Sequence, residues 1–217
     1  MRRQLLIFDF DGTLADTWRD IATALNRTLG EAGRGAASDA HVRAWIGHGL
    51  VHLIECALPE ADRSPQRIAA LYDRLCSHYL GCCLDTTRLY PGVADCLAEL
   101  SDHALVVLSN KPARFLNRMV AGLGLAGRFI MVVGGDALPF NKPDPRAVAR
   151  IASLLGAALA QVWVIGDSAL DVCSGRDAGA HTIGCAWGWR GRDELVATEA
   201  EFVVDQPKEI PPIIASW

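Results

Sequence analysis

Six short apolar segments, separated by stretches with helical spacing, constrain the fold of this chain more than any other feature. They are rich in Val, Ile and Leu and span residues 4–9, 104–110, 129–134, 162–167, 181–186 and 202–205. Nearly continuous apolar runs are typical of strands that helices cover on both faces. Between them, Pro91-Gly92 and Pro145 each open a segment with apolar residues at helical spacing. This alternation predicts an α/β fold with a doubly wound, mainly parallel, Rossmann-like sheet.

Residues 17–89 follow a different pattern, without a convincing strand. Ile21, Leu25 and Leu29 form one helical stripe, and Ser38 and Ser64-Pro65 are suited to begin later helices. We therefore expect a small α-helical cap domain at residues 17–89. It is inserted into an α/β core domain made of residues 1–16 and 90–217.

Composition and charge exclude several classes of partner. Hydrophobic residues make up 51% of the 217 residues, as in an ordinary globular protein. The net charge of −4 gives no electrostatic reason to expect binding to nucleic acid. The apolar runs are too short to cross a bilayer, so we expect a cytoplasmic protein that does not insert into a membrane.

Two carboxylates follow the first predicted strand in the segment Asp9-Phe10-Asp11-Gly12-Thr13. If the chain curls there, as Gly12 permits, both carboxylates can face one crevice. Crowded carboxylates are stabilised by a cation, and oxygen ligands favour Mg²⁺. A simple polar turn would also explain this segment, because Asp-Gly often forms turns.

The other predicted strand ends supply complementary groups. Ser109 and Asn110 end the second strand, Lys142 follows the third, and Asp167 and Asp171 follow the fourth. Taken singly, these residues are compatible with a helix cap, a solvated lysine or a turn. However, the ends of parallel strands meet along one edge of the sheet. Together they predict a site for a phosphate group and a divalent cation.

These segments resemble, in order and spacing, the four motifs of the haloacid dehalogenase superfamily. Asp9-x-Asp11-Gly12-Thr13 is similar to its first motif, Ser109-Asn110 to the second, Lys142 to the third, and Gly166-Asp167-Ser168-x-x-Asp171 to the fourth. The resemblance is closest to the phosphoglycolate phosphatases, through Ile46-Gly47-His48-Gly49, Tyr90-Pro91-Gly92-Val93, Gly134-Gly135-Asp136 and Lys142-Pro143-Asp144-Pro145. Ser109 departs from the threonine more frequent in those enzymes but keeps the hydroxyl.

The resemblance implies a role for each motif residue. Asp9 would be the nucleophile, Asp11 the general acid and base, and Ser109 and Lys142 the groups that bind the phosphoryl oxygens. Mg²⁺ would be held by Asp9, the main-chain carbonyl of Asp11 and Asp167, with Asp171 as a ligand or supporting group. The candidate substrate-binding residues are Gly12, Thr13 and Asn110 in the core and Gly47 and His48 in the cap.

The expected function is Mg²⁺-dependent hydrolysis of a small phosphorylated metabolite, most specifically 2-phosphoglycolate. A sugar-phosphate phosphatase or phosphomutase is the main alternative, and a non-catalytic binding protein on this scaffold is a further one. The binding protein is disfavoured because every expected catalytic group is present, and a dehalogenase because it would not need the acid Asp11. The sequence leaves open whether the protein is a monomer or a homodimer. It also leaves open whether Trp187-Gly188-Trp189 lines the site or covers the core.

Overall fold

The computed structural model describes residues 3–217, so Met1 and Arg2 of the predicted core domain lie outside the described residues. The described residues form eight strands: β1 (Leu5–Phe8), β2 (Ala15–Asp16), β3 (Arg88–Leu89), β4 (Ala104–Leu108), β5 (Met131–Val133), β6 (Val162–Gly166), β7 (His181–Cys185) and β8 (Phe202–Val204). Six of them form a parallel sheet in the order β5-β4-β1-β6-β7-β8. This confirms the predicted α/β fold, and the six strands coincide with the six apolar segments. The prediction that residues 17–89 contain no strand is wrong at Arg88–Leu89.

The strand order places a topological switch point at β1. From β1 the chain continues to its neighbour β4 on one side, and it later returns to β6 on the other side. Phe8 is in register with Val107 of β4 and with Ile165 of β6, so the carboxyl ends of these three strands are level. Ligand sites of open parallel sheets lie at such a point.

The chain divides into two compact units, residues 1–16 with 89–217 and residues 17–88. The division falls one residue before the predicted end of the inserted domain. The first unit contains the six-stranded sheet and the helices of the α/β core. The second unit contains four helices: α1 (Trp18–Glu31), α2 (Asp39–Trp45), α3 (Leu50–Ala57) and α4 (Pro65–Cys82).

The helices of the first unit are α5 (Val93–Glu99), α6 (Ala113–Gly122), α7 (Arg146–Leu154), α8 (Ala169–Ala178), α9 (Arg192–Ala197) and α10 (Ile210–Ala215). Helix α7 shows how they cover the sheet. Its residues Val148 and Ile151 belong to one fully buried cluster with Ile7, Val106 and Val164 of the three central strands. Burial of each such side chain contributes about 1.5–3 kcal/mol, and it fixes the strand ends that carry the polar residues described below.

In the second unit, serines begin two of the helices as predicted. The Ser38 hydroxyl accepts a hydrogen bond from the backbone N–H of His41, and that of Ser64 accepts one from Arg67. Within the described residues, no helix is both long enough and apolar enough to span a bilayer.

Candidate active site

Three carboxylates converge at the switch point of the sheet. Asp9 directly follows β1, Asp167 directly follows β6, and Asp171 lies in the first turn of α8. One carboxylate oxygen from each lies within 4.8 Å of the others. Asp167 and Asp171 are buried and Asp9 is largely so. The folding of the sheet therefore brings together residues that are up to 162 positions apart in the sequence.

Lys142 links two of these carboxylates. Its Nζ lies 2.8 Å from Oδ1 of Asp9 and 2.6 Å from Oδ1 of Asp171. Asn110 holds the backbone at this lysine, because its amide donates to the Lys142 carbonyl at 2.9 Å and accepts from the Lys142 N–H at 3.0 Å. These two hydrogen bonds position Lys142, and the predicted role of Asn110 in substrate binding stays a prediction.

Lys111 is a site residue that the sequence interpretation did not identify. Its Nζ lies 2.5 Å from Oδ1 of Asp11, and its side chain is 2% exposed. The signal was present in the sequence, since Lys111 directly follows the predicted site residues Ser109 and Asn110. Ser109 is itself buried, and its hydroxyl accepts a hydrogen bond from the Lys111 backbone N–H at 3.3 Å.

Glycines allow the backbone to approach the carboxylates closely. Gly12 has a positive φ of 82°, and a Cβ built there would lie 2.3 Å from an oxygen of Asp167. A Cβ at Gly166 would lie 2.1 Å from the carboxyl carbon of Asp171, and one at Gly188 would lie 2.2 Å from Cβ of Asp167. A side chain at any of the three positions would displace an acidic group of the cluster.

The segment after β7 borders the same cluster. Asp167 accepts hydrogen bonds from the Thr13 hydroxyl at 3.2 Å and from the Trp189 backbone N–H at 3.0 Å. The Trp187 indole donates to the Thr13 carbonyl at 3.0 Å. Trp187 and Trp189 therefore lie against the loop that carries Asp9 and Asp11, and Thr13, predicted to bind substrate, has its hydroxyl on Asp167.

The predicted cap residues lie in the second unit. Gly47 and His48 occupy the connection between α2 and α3, and Gly47 has a φ of 125°. The ring of His48 packs 4.8 Å from that of His52. Their role in substrate binding stays a prediction.

Burial and mutual repulsion shape the electrostatics of the carboxylates. Burial raises the pKa of Asp9 to about 7, against the opposing effect of Lys142 and with a further increase from Asp171. Burial also raises the pKa of Asp167 well above its usual value, and Asp171 and Asp9 add to this increase. Burial alone would lower the pKa of Lys142, but Asp171 and Asp9 together hold it above its usual value.

The donor set fits a hard divalent cation. Asp9, Asp167 and Asp171 offer oxygen ligands at mutual distances that one ion can bridge, and carboxylate oxygens are the ligands of Mg²⁺. With Asp11 included, the site holds four carboxylates and the two ammonium groups of Lys142 and Lys111. The fully ionised set therefore carries two more negative than positive charges, which a divalent ion would balance.

This arrangement is typical of α/β enzymes whose active site lies at the carboxyl ends of the strands of a parallel sheet. Residues 6–185 match the sequence profile of the family described as haloacid dehalogenase-like hydrolase. Because the match covers most of the chain, the chain belongs to this family. The family predicted from the motifs is confirmed.

Several relatives with this fold or a similar sequence carry the name phosphoglycolate phosphatase. The phosphoglycolate phosphatase of Psychrobacter arcticus is 35% identical over 211 residues, covering 92% of this chain and 92% of the relative. That of Pseudomonas putida is 31% identical over 214 residues, covering 96% of this chain and 79% of the relative. The crystal structure of a predicted phosphoglycolate phosphatase from Haemophilus somnus superposes with a TM-score of 0.91 at 26% identity, covering 97% of each chain. The chain is a phosphatase, as predicted.

Proposed function

We propose that this phosphatase hydrolyses 2-phosphoglycolate to glycolate and phosphate, with Mg²⁺ as cofactor and a transient phosphate ester on Asp9. The names of the relatives support the substrate. The observation that carries the mechanism is the convergence of Asp9, Asp167 and Asp171, together with the contacts that Asp9 and Asp171 make with the ammonium group of Lys142.

Asp9 attacks phosphorus and divides one difficult hydrolysis into two easier steps. Because it follows β1 directly, the buried strand fixes its position. Lys142 opposes the effect of burial on the pKa of Asp9 and so favours the ionised, nucleophilic form. Lys142 and the hydroxyl of Ser109 bind the phosphoryl oxygens and stabilise the charge that they carry in the transition state.

Asp11 transfers the protons. In the first step the protonated form of Asp11 donates its proton to the leaving oxygen of the substrate, and in the second the resulting carboxylate takes a proton from the water that attacks the phosphate ester, which restores the acid. The positive φ of Gly12 and the ion pair of Lys111 with the Asp11 carboxylate support this role, because they fix the backbone and the side chain of Asp11 near the end of β1.

Asp9, Asp167 and the main-chain carbonyl of Asp11 would hold Mg²⁺, with Asp171 as a ligand or supporting group. When bound, the ion would supply positive charge to the phosphoryl oxygens.

A panel of phosphorylated small molecules tests the substrate. We expect 2-phosphoglycolate to have the highest kcat/KM for phosphate release among 2-phosphoglycolate, glucose 6-phosphate and glucose 1-phosphate, and EDTA to abolish the activity. A higher value for a sugar phosphate, or an isomerised sugar phosphate as the product, would contradict the proposal in favour of the alternative function.

The change Asp9→Asn tests the nucleophile. We expect turnover to be lost while the protein stays folded, because an amide cannot form the phosphate ester. Phosphate release and circular dichroism measure the two effects. Asp95→Asn, at an exposed position of α5, is the matched control and should keep full activity. Appreciable hydrolysis by Asp9→Asn would exclude Asp9 as the nucleophile.

A further inference from the structure

Lys111 and Lys142 place positive charge at two different points of the site. Lys142 contacts the nucleophile Asp9 and Asp171. Lys111 contacts Asp11, the residue that faces the leaving oxygen in the proposed mechanism. In the proposed mechanism, the first ammonium group therefore lies on the phosphoryl side and the second on the leaving-group side.

The surroundings of Lys111 favour an anionic partner. Its side chain is 2% exposed, its Nζ lies 3.6 Å from Sδ of Met119, and the ring centroid of Phe10 lies 5.8 Å away. In such apolar surroundings an ammonium group is costly unless anionic groups compensate it, and a contact with a carboxylate gains strength from the low dielectric constant.

The backbone at Lys111 is fixed independently of Asp11. Its carbonyl accepts a hydrogen bond from Gly135 at 2.8 Å, and its N–H donates to Ser109 at 3.3 Å. A Cβ at Gly135 would lie 2.3 Å from the carbonyl oxygen of Asn110, so glycine is required for this close packing. Because its backbone is fixed, the ammonium group of Lys111 can occupy only a small region of the site. A residue that selects between substrates requires such a restricted position.

We propose that Lys111 binds the carboxylate of the substrate leaving group and so selects phosphate esters of short hydroxy acids. This inference rests on the proposed function, because it takes Asp11 as the acid that protonates the leaving oxygen. A general acid lies within about 3 Å of the oxygen that it protonates. In 2-phosphoglycolate one methylene separates that oxygen from the carboxylate, so a cation in contact with Asp11 is within reach of both groups.

Two substrates of equal length isolate the contact. 2-Phosphoglycolate carries a carboxylate where 2-hydroxyethyl phosphate carries a hydroxymethyl group, and the measured quantity is the ratio of their kcat/KM values. We expect the wild-type enzyme to prefer 2-phosphoglycolate and Lys111→Met to lower the ratio by about 10- to 100-fold, as expected for a lost hydrogen bond between charged groups. Much of the change should appear in KM for 2-phosphoglycolate.

Three further variants control the experiment. Lys111→Gln also removes the charge but can still donate a hydrogen bond to Asp11, and it should lower the same ratio even if Lys111→Met does not fold. Lys111→Arg keeps the charge and should retain the preference. Lys208→Met makes the same change at an exposed position and should leave the ratio unaltered.

The outcomes separate this inference from the proposed function. Equal losses for both substrates in Lys111→Met and Lys111→Gln would overturn the inference, because Lys111 would then act through Asp11 alone. A wild-type enzyme that hydrolyses both substrates equally well would overturn the inference and leave the phosphatase mechanism intact. A wild-type enzyme that hydrolyses neither substrate would overturn both.

Discussion

The acidic cluster depends on residues that have no side chain. Gly12 adopts a backbone conformation that other residues avoid, and its missing Cβ leaves room for the carboxylate of Asp167. The positive φ of Gly12 and the space that its missing Cβ leaves for Asp167 are separate reasons for a glycine at this position. A pair of glycines with the same backbone conformation but different surroundings can separate them.

Gly12→Ala is expected to lower turnover by about 100-fold or more, because displacing a catalytic group by about 1 Å has effects of this size. Gly124 is the matched control: its φ is 72°, and nothing lies within 4 Å of a Cβ built there. Both variants should lose about 1–2 kcal/mol of unfolding free energy from the left-handed backbone conformation. Steady-state kinetics and urea unfolding measure the two effects. Equal activity of Gly12→Ala and Gly124→Ala would show that the space at Gly12 does not matter.

At the scale of elements, the sequence predicted the sheet well because its strands are buried on both faces and therefore nearly continuous in apolar residues. The predicted strand ends differ from those of the structure. The segment predicted to end at Asn110 pairs as a strand to Leu108, and polar residues continue beyond it as a loop. Arg88–Leu89 was missed because two residues carry no periodicity.

The same limit applies to the site. Asp9, Lys142, Asp167 and Asp171 could be brought together from the sequence because the rule for parallel sheets places strand ends along one edge. The contact of Lys111 with Asp11 could not, because it depends on how a loop after β4 packs and on the direction of a flexible side chain. The hydrogen bonds of Asn110 to the backbone of Lys142 could not be predicted either, for the same reason.

Helix α1 shows a buried acid with a structural role. Asp20 lies in its first turn and is 1% exposed. Its carboxylate accepts hydrogen bonds from the backbone N–H and the hydroxyl of both Thr86 and Thr87, at distances between 2.5 and 3.1 Å. Asp20 thus joins the beginning of the helical unit to its end.

We expect Asp20→Asn to lower the unfolding free energy by about 1.5–3 kcal/mol, the value of hydrogen bonds to a charged group. The amide replaces one accepting oxygen by an N–H₂ group that faces donors. Asp73→Asn, at an exposed position of α4, is the matched control and should change the free energy by less than about 0.5 kcal/mol. Urea unfolding followed by circular dichroism measures both variants. If Asp20→Asn and the wild-type protein had the same unfolding free energy, the hydrogen bonds of Asp20 would contribute no more stability than its hydrogen bonds to water in the unfolded state.

At the scale of the whole molecule, charge is distributed unevenly. The net charge of −4 is modest for 217 residues, yet Asp9, Asp11, Asp167 and Asp171 crowd into one largely buried place. Burial of the ionised carboxylates, and to a smaller extent their mutual repulsion, opposes folding, as the raised pKa values of Asp9 and Asp167 indicate. Lys142 and Lys111 compensate only part of this charge, so a bound cation should stabilise the entire fold.

Mg²⁺ is therefore expected to raise the melting temperature of the wild-type protein relative to a sample in EDTA. Binding to the folded state alone adds about 2.7 kcal/mol of stability when the free ion is at 100 times its Kd. Asp167→Asn removes one of the three converging carboxylates, so the increase should largely disappear, whereas the exposed Asp95→Asn should keep it. Thermal unfolding over a Mg²⁺ titration measures the three responses. An equal increase in Asp167→Asn would place the ion elsewhere on the molecule, and no increase in the wild-type protein would show that the cluster is stable without a cation. Because the readout is unfolding, the result bears on the metal site whatever the substrate proves to be.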